Sequence, residues 1–314
     1  MRIIGAGMAG LIAANYFRKD EPVVYEAQHS LPHNHDALLR FRSDRIGQAV
    51  GIPFKKVEVR KNVIHGSMLV DNMNVYLANT YSFKTTGRIL SRSIWDLKPS
   101  QRYIAPPNFI EKLATGVNIL YGVNIGKKAI KEGEPTISTI PMPVLMDIME
   151  WKHKPEFSYR PVWAITADLL TPITDVYQTI YYPELSNPAY RASIIGSHII
   201  IECTDEYNPD DTQMIDDKVM SVLSDFGIPS SAVHLADDPV CRKQEYGKIV
   251  PIDDDIRKEF MYTMTRDHNL YSLGRFGTWR QLLLDDLVQD LDVISGLISV
   301  EGRRRDYTRS LALK

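Results

Sequence analysis

Gly5, Gly7 and Gly10, set in the run Gly5-Ala6-Gly7-Met8-Ala9-Gly10, and Glu26, which ends the apolar run Val23-Val24-Tyr25, are the residues whose types and spacing could do chemistry. Glycine at the first position permits a tight turn, at the second lets the backbone approach a pyrophosphate, and at the third lets a helix pack closely on a strand. The N-terminus of that helix offers N–H groups and the positive end of its dipole to phosphate oxygens. An acid about twenty residues on can accept hydrogen bonds from both hydroxyls of a ribose, with Ala27 beside it in the same binding turn. A carboxylate there argues against a 2′-phosphate, so the ligand expected is FAD or NAD rather than NADP.

Such a motif works only between a strand and a helix. Arg2-Ile3-Ile4 is an apolar strand running into the first glycine, Leu11–Arg18 is helix-like, and Val23–Tyr25 supplies the next strand, so the context is met on both sides. The following loop, His29-Ser30-Leu31-Pro32-His33-Asn34-His35-Asp36, holds three histidines near an aspartate. It lacks the i, i+4 helical pairing of zinc motifs; it reads as a loop wrapping the cofactor, and no metal is expected. Arg40 or Arg42 is expected against the pyrophosphate.

The same kind of pattern returns twice. Prolines at 106 and 107 precede a short helix ended by Gly116, strands follow at Val117–Tyr121 and Val123–Ile125, and the buried strand Ile137–Pro141 leads into a helix over Met142–Met149. At the C-terminus a strand over Asn269–Leu273 meets the glycine turn Gly274-Arg275-Phe276-Gly277, and a helix is expected from about Gln281 to Val300.

Between these returns the character changes. Residues 57–105 alternate in strand fashion at Val57–Val59, Met68–Val70 and Val75–Leu77, then become polar and aromatic. From residue 150 the stretches 162–168, 176–182, 191–195 and 198–202 are β-branched and aromatic with turns between, and a helix over Gln213–Asp225 is closed by Gly227 and Pro229. The expectation is an α/β protein: a Rossmann-like nucleotide-binding domain with a parallel sheet, discontinuous over 1–56, 106–149 and 268–314. Into it is inserted an antiparallel β-rich substrate or cap domain, 57–105 and 150–267.

Bulk properties fit such a chain. Its 314 residues are 44% hydrophobic and 24% charged, as in ordinary globular proteins, and a net charge of −2 gives no overall pull towards nucleic acid or anionic membrane. No apolar run approaches the about 18 residues that a membrane span needs. The first strand starts at the second residue, leaving no room for a leader, and a cytoplasmic location is expected. Cys203 and Cys241 stand far apart without metal or redox spacing and read as incidental thiols. The basic run Arg303–Arg305 reads as a solvated end.

In order along the chain, Gly5–Gly10, Glu26, the V-x-I run at Val123, Ile137–Pro141 and the closing Gly274-Arg275-x-Gly277-x-Trp279 resemble FAD-dependent proteins of the amine oxidase, protoporphyrinogen oxidase and UDP-galactopyranose mutase superfamily. The resemblance implies non-covalent FAD. Its ADP half would be held by Gly5, Ala6, Gly7, Met8, Ala9, Gly10, Glu26, Ala27 and Arg40, its adenine by the backbone at Val123. Its flavin end would lie against Gly274, Arg275, Trp279 and the backbone of Leu283, Leu284 and Asp285. Within the superfamily the closing motif is most similar to the mutase pattern, through Gly274, Arg275, Trp279 and Asp285, although the Gly-Gly-Arg usual after the ribose acid is represented at best by Leu39-Arg40-Phe41.

Three functions follow from the resemblance. The first is an amine-oxidase-like oxidoreductase, in which flavin N5 takes a hydride from a small or medium-sized substrate held in an aromatic-walled pocket. The second is a redox-neutral, mutase-like enzyme on a sugar nucleotide, with a diphosphate clamped by arginines drawn from Arg160, Arg191, Arg275 and Arg280. The third is a flavin-binding protein without catalysis. Lys248, Tyr246 and Arg191 are the candidate catalytic residues, Lys248 as the holder of a water near the flavin, and the pocket aromatics are Trp163, Tyr177, Tyr181, Tyr182, Tyr246 and Trp279. The expected partner is a small molecule.

Overall fold

The computed structural model describes every residue except 33–39, 71, 91–95, 131–132, 205–206 and 313–314, and only the backbone of 302–312. In chain order its first half forms β1 (Arg2–Ile4), α1 (Met8–Tyr16), β2 (Val23–Glu26), β3 (Arg40–Phe41), α2 (Arg45–Val50), β4 (Lys55–His65), β5 (Met68–Val70), α3 (Val75–Thr86), β6 (Ser100–Ile104), α4 (Phe109–Ala114), β7 (Asn118–Tyr121), α5 (Lys127–Ile130), β8 (Thr136–Ser138) and α6 (Met142–Ile148). The second half adds β9 (Tyr159–Asp168), β10 (Thr174–Tyr181), β11 (Ala189–Gly196), β12 (His198–Cys203), α7 (Thr212–Asp225), β13 (Val240–Ile249), α8 (Asp254–His268), β14 (Leu270–Ser272), α9 (Gly274–Gly277) and α10 (Leu287–Ala312).

Five short strands make a wholly parallel sheet in the order β14-β8-β1-β2-β7. Its central strands are buried on both faces, β1 through Ile3 and Ile4 and β8 through Thr136, Ile137 and Ser138, whereas the edge strand β7 is largely exposed. On one face Ile3, Val24, Ile137 and Tyr271 pack with Leu11 and Ala14 of α1 and Leu287, Leu291 and Ile294 of α10. On the other, Ile4 and Leu270 pack with Met142, Leu145 and Met146 of α6 and Phe260 and Met264 of α8. Helices on both sides of a parallel sheet assembled from three separate stretches form the expected Rossmann-like α/β layer.

The second sheet is larger and curls over the first, in the order β13-β9-β12-β11-β10-β4-β6-β3 with β5 hairpinned to β4. It is the inserted β-rich layer, but mixed rather than antiparallel throughout. β4 and β10 lie parallel, Tyr177 beside Val59 and Tyr181 beside Val63, because strands from the two insertions meet there without a hairpin. Its outer face, with Ile165, Ile180, Ala192, Ile194 and Ile201, is covered by Ile215, Val219, Val222 and Leu223 of α7. Cys203 and Cys241 lie in or beside that layer as free, buried thiols, and burial pushes them up to about 12 and about 11.

Some local expectations change. Val75–Leu77 is helical, not extended: Asn74 caps α3 by accepting from the Leu77 N–H at 3.0 Å, and Gly87 ends it at φ 70°. Val123–Ile125 lies beyond β7 outside any strand, although the Val123 N–H still donates to the Glu26 carbonyl at 2.9 Å. The strand β13 and the helix α8, capped by Asp253 and ended by Asn269 at φ 52°, were not expected.

One buried cation belongs to the fold rather than to chemistry. Lys84 of α3, 4% exposed, donates through Nζ to the carbonyls of Tyr182, Glu184 and Ala189 at 2.6–2.9 Å, fastening α3 to the turn between β10 and β11. Lys84→Met strips the donor from three carbonyls and is expected to cost about 3 kcal/mol, measured as a fall in urea midpoint at unchanged slope.

Candidate functional site

The glycine motif is built as its spacing demands. Gly5 sits at φ 97°, where a Cβ would stand 2.5 Å from Thr139 Oγ1, and a Cβ on Gly10 would stand 1.9 Å from the Gly5 carbonyl oxygen. The first turn of α1 therefore lies directly on the end of β1, an approach that no larger residue allows. Gly7 is the N-cap of α1, with no side-chain cap and no acid in the first turn, so the N-terminal N–H groups and dipole face the mouth of the sheet. Glu26, 8% exposed, is fixed by two backbone donors, the Ala6 N–H to Oε2 at 2.7 Å and the Gln28 N–H to Oε1 at 2.9 Å. Each oxygen keeps a further lone pair for a ligand hydroxyl.

The C-terminal turn comes to the same place. Gly274 has φ 80°, and a Cβ there would lie 2.9 Å from the Cβ of Ala9; one on Gly277 would lie 2.9 Å from the Ser138 carbonyl oxygen. The second glycine turn thus presses on the first turn of α1 and the end of β8. The helix after it does not open at Gln281. A 3₁₀ turn, Leu284–Asp286, leads into α10 at Leu287, so the N-terminal end expected after Trp279 lies at Leu283, Leu284 and Asp285 instead. Asp285 accepts from the Arg42 and Ser43 N–H groups at 2.8 and 3.2 Å, and Asp286 pairs with the Arg42 guanidinium at 2.9 Å.

Several side chains expected around a cofactor sit elsewhere. Arg40 does not lie against the glycine turn: β3 pairs with β6, which carries Arg40 beneath the second sheet, where it donates to Thr179 Oγ1 at 3.3 Å and Tyr181 Oη at 3.1 Å and lies 5.3 Å from the Tyr177 ring. Trp279 is fully buried and donates Nε1–H to the Val250 carbonyl at 2.9 Å, its ring edge-on to Phe157 and Tyr246. It serves the core between the layers rather than a pocket wall. Arg275 has its guanidinium 5.8 Å from the Phe276 ring. His33, His35, Asp36 and Leu39 lie outside the described residues, as do the side chains of Arg303–Arg305. Among the described residues no group of three or more His, Cys, Asp or Glu side chains could hold a metal ion.

The three candidate catalytic residues divide into two places. Tyr246 stands at the junction of the layers, its ring 4.7 Å from Tyr159 and 6.0 Å from Phe276, and burial raises its hydroxyl above the usual value. Lys248 and Arg191 meet farther in, around a carboxylate that sequence reading passed over. Glu202 accepts from Arg191 Nε and, at 2.7 Å, from the Tyr190 hydroxyl, while Lys248 Nζ lies 4.4 Å above the Tyr190 ring. Burial alone would raise the Glu202 carboxyl, but Arg191 and then Lys248 outweigh it and hold it down at about 2. Burial first, then Glu202, holds the Tyr190 phenol well above its ordinary value, and so neutral. The signal that could have found Glu202 was its period: it alternates with the buried Ile199 and Ile201 and so faces the opposite side of β12.

These groups share the inner face of the curled sheet with Thr179 and Ser193, whose hydroxyls are 2.9 Å apart across β10 and β11. Apolar clusters flank this polar seam, Val57, Val59 and Tyr177 at one end and Val63, Tyr81, Tyr181 and Tyr190 at the other. The sheet is anchored on the nucleotide layer along both edges, by Phe41 of β3 packed with the α1 core and by Ile249 of β13 packed with Phe260 and Trp279. Two surface cavities of about 320 and 440 Å³, both lined by His65, Tyr76 and Leu77, open beside α3 and bring no convergent catalytic groups.

Neither a protein-family model nor a curated protein sequence matches the chain. Solved structures do. A reduced UDP-galactopyranose mutase superposes over 95% of this chain and 95% of its own, with TM-score 0.65 and 14% identity. A protein provisionally assigned as protoporphyrinogen oxidase, from Exiguobacterium sp. 255-15, covers 96% and 98% at TM-score 0.59 and 11% identity. An oxidoreductase from Methanosarcina mazei covers 94% and 100% at TM-score 0.57 and 10% identity. At such identities the likeness is one of fold, and it spans 94% or more of each chain.

Proposed function

We propose that this chain is an FAD-dependent oxidoreductase acting on a small molecule held between the glycine turns and the inner face of the curled sheet. The observation that supports this reading is the convergence of Gly5–Gly10, the buried Glu26 carboxylate and the Gly274 turn at one end of the parallel sheet. The residues fit the group: a close-packed glycine turn, an uncapped helix start and an acid with acceptor capacity suit a pyrophosphate and ribose. Gly5, Ala6, Gly7, Met8, Ala9, Gly10, Glu26 and Ala27 would hold the adenosine diphosphate half, with the backbone at Val123. Gly274, Arg275 and the backbone of Leu283, Leu284 and Asp285 would hold the other end. Residues 1–56, 106–149 and 268–314 would form the nucleotide half, and 57–105 with 150–267 the layer over it.

When bound, FAD supplies a two-electron acceptor for a C–H bond of the substrate. The chain's own part is to orient the substrate, exclude water and set charge. Tyr177, Tyr181 and Tyr190 give the cleft rigid walls, and Arg40, Arg191 and Lys248 fix its potential. Lys248, with Tyr246, would hold a water or proton donor beside the substrate.

The mutase-like alternative needs paired arginines for a diphosphate. Arg191 is engaged by Glu202, Arg280 by Asp290, and Arg160 donates to the Lys84 carbonyl at 3.1 Å, which favours the oxidoreductase. The superfamily's amine-oxidase-like chemistry is the finer form of that reading.

Purified protein is expected to be yellow, absorbing near ~450 nm as oxidised flavins do, and to release FAD rather than FMN on denaturation. Glu26→Gln is expected to weaken FAD retention about tenfold or more while leaving the thermal transition in place. Colourless protein that also fails to take up added FAD refutes the proposal.

A further inference from the structure

Exposed apolar side chains gather where the β4–β5 hairpin, α3 and the turn between β10 and β11 meet. Met68, Leu69, Val75, Tyr76 and Leu185 are each 58–68% exposed and Phe83 is 48% exposed. Leu69, Tyr76 and Leu185 line the two surface cavities of about 320 and 440 Å³ that share His65 and Leu77. Met68 stands opposite His65 in the hairpin, and Phe83 lies two helical turns beyond Tyr76 on the same face of α3. The exposed parts of these six residues amount to roughly 700 Å², more than the ~300–600 Å² of the largest apolar patch on a typical monomer. Charge is scarce here as well. From Gly66 to Phe83 the sequence holds one charged residue, Asp71, in eighteen, against 24% in the whole chain. Beside the cavities Glu184 is already engaged, accepting from the Gly66 N–H at 2.7 Å and lying 3.3 Å from His65 Nδ1. Lys84, the next charge along α3, donates inward to its three carbonyls.

We infer that this face docks a second copy of the chain across a two-fold axis. Its area is close to the ~800 Å² that each partner gives to a standard interface. Its make-up, poor in charge and holding Tyr, Phe and Met, is that of an interface core. Protruding side chains and cavities lie on the same face, so a two-fold rotation sets Leu69, Tyr76 and Leu185 of each copy over the cavities of the other. A face with so little charge also meets itself without like-charge repulsion. A membrane-binding face would ring its apolar residues with Lys or Arg, and residues 66–83 contain neither. The other side of α3 packs Leu77 and Tyr81 against Val63, Tyr181 and Tyr190 of the curled sheet, so docking would hold this helix from both sides. The inference is independent of the cofactor and of the substrate.

Sedimentation equilibrium of the full chain between about 1 and 100 µM, a range that brackets a micromolar Kd, reads the mass directly. Wild type is expected to reach twice the mass of one chain at the upper end. Leu69→Lys combined with Tyr76→Lys is expected to stay monomeric throughout with an unchanged circular dichroism spectrum, a loss of about a hundredfold or more in affinity. Leu185→Lys, on a separate element, is the second variant and is expected to weaken pairing about tenfold or more. Leu69→Glu combined with Tyr76→Glu is expected to be monomeric alone, and mixing it with the lysine pair is expected to restore the two-chain mass, because the same patch serves both partners. Leu170→Lys, at a 64% exposed position before the far end of β10, is expected to change nothing. Wild type that remains monomeric at about 100 µM overturns the inference. So does a dimer that survives both lysine variants, or lysine and glutamate variants that stay apart on mixing. Monomeric wild type that floats with phosphatidylcholine vesicles overturns it too, and assigns the face to a lipid surface.

Discussion

Gly10→Ala is expected to cost about 3 kcal/mol of stability or more and to leave the protein without FAD. The new methyl would sit 1.9 Å from the Gly5 carbonyl oxygen, a backbone atom that cannot swing aside as a flexible side chain can. Relief requires α1 to lift from β1, which widens the turn where a pyrophosphate would lie and pulls Ala9 away from Gly274. The control is Gly296→Ala in α10, where a Cβ meets nothing within 4 Å and the better helix propensity of alanine should stabilise by about 0.5–1 kcal/mol. Urea melts of both variants, with flavin content read from absorbance, check the pair. A Gly10 variant as stable and as yellow as wild type would mean that α1 does not rest on the end of β1.

Glu202→Gln is expected to cost about 2–3 kcal/mol near neutral pH, because it takes the carboxylate away from the half-buried Arg191 and Lys248. The pH dependence separates charge from packing. The Glu202 carboxyl is held at about 2 in the folded chain, against an ordinary value of 4.5, so its contribution is fully present above about pH 4.5 and is lost as the pH falls towards 2. The gap in unfolding free energy between wild type and variant should therefore narrow by about 2 kcal/mol between pH 6 and pH 3. A gap that stays constant over that range would show that the carboxylate is not ionised against its neighbours. The same loss without any change in FAD content would place the cluster in the covering layer alone.

The nucleotide layer was legible because its constraints are local. Strand, glycine turn, helix and acid follow one another within Arg2–Glu26, and each glycine answers a clash that the fold imposes. The C-terminal turn was legible for the same reason, but the start of its helix was not: Arg280–Leu283 carries no N-cap residue, and Asp286, which accepts from the Leu283 N–H at 3.0 Å, marks the true entry. Val75–Leu77 looked extended because three apolar residues in a row suit a strand, whereas the informative residues were Asn74 before them and Gly87 after the helix. The covering layer resisted reading for a different reason. Its order places β10 beside β4 and β3 at the far edge, and side-chain spacing along one strand says nothing of which distant strand lies next to it. Arg40 was accordingly assigned by nearness in sequence to the glycines, when nearness across the sheet decides its partners. Glu202 was missed because a single acid after three isoleucines has no motif, and its meaning comes from Arg191 on the adjoining strand.

The contact between Gly274 and Ala9 also has a bearing on time. The opening glycine turn leaves the ribosome more than 260 residues before the turn that presses on it, and before the helix α10 that covers α1. Until then the apolar side of α1 has no lid, and the parallel sheet lacks β14 at its edge. A nascent chain can assemble the curled sheet before β14, α9 and α10 are made, but the nucleotide layer closes only after them, through contacts of large sequence separation that form slowly. Ligand capture would then wait for the Gly274 turn, and a product stopped short of Leu270 would keep its first glycine motif intact without a completed place to hold a ligand.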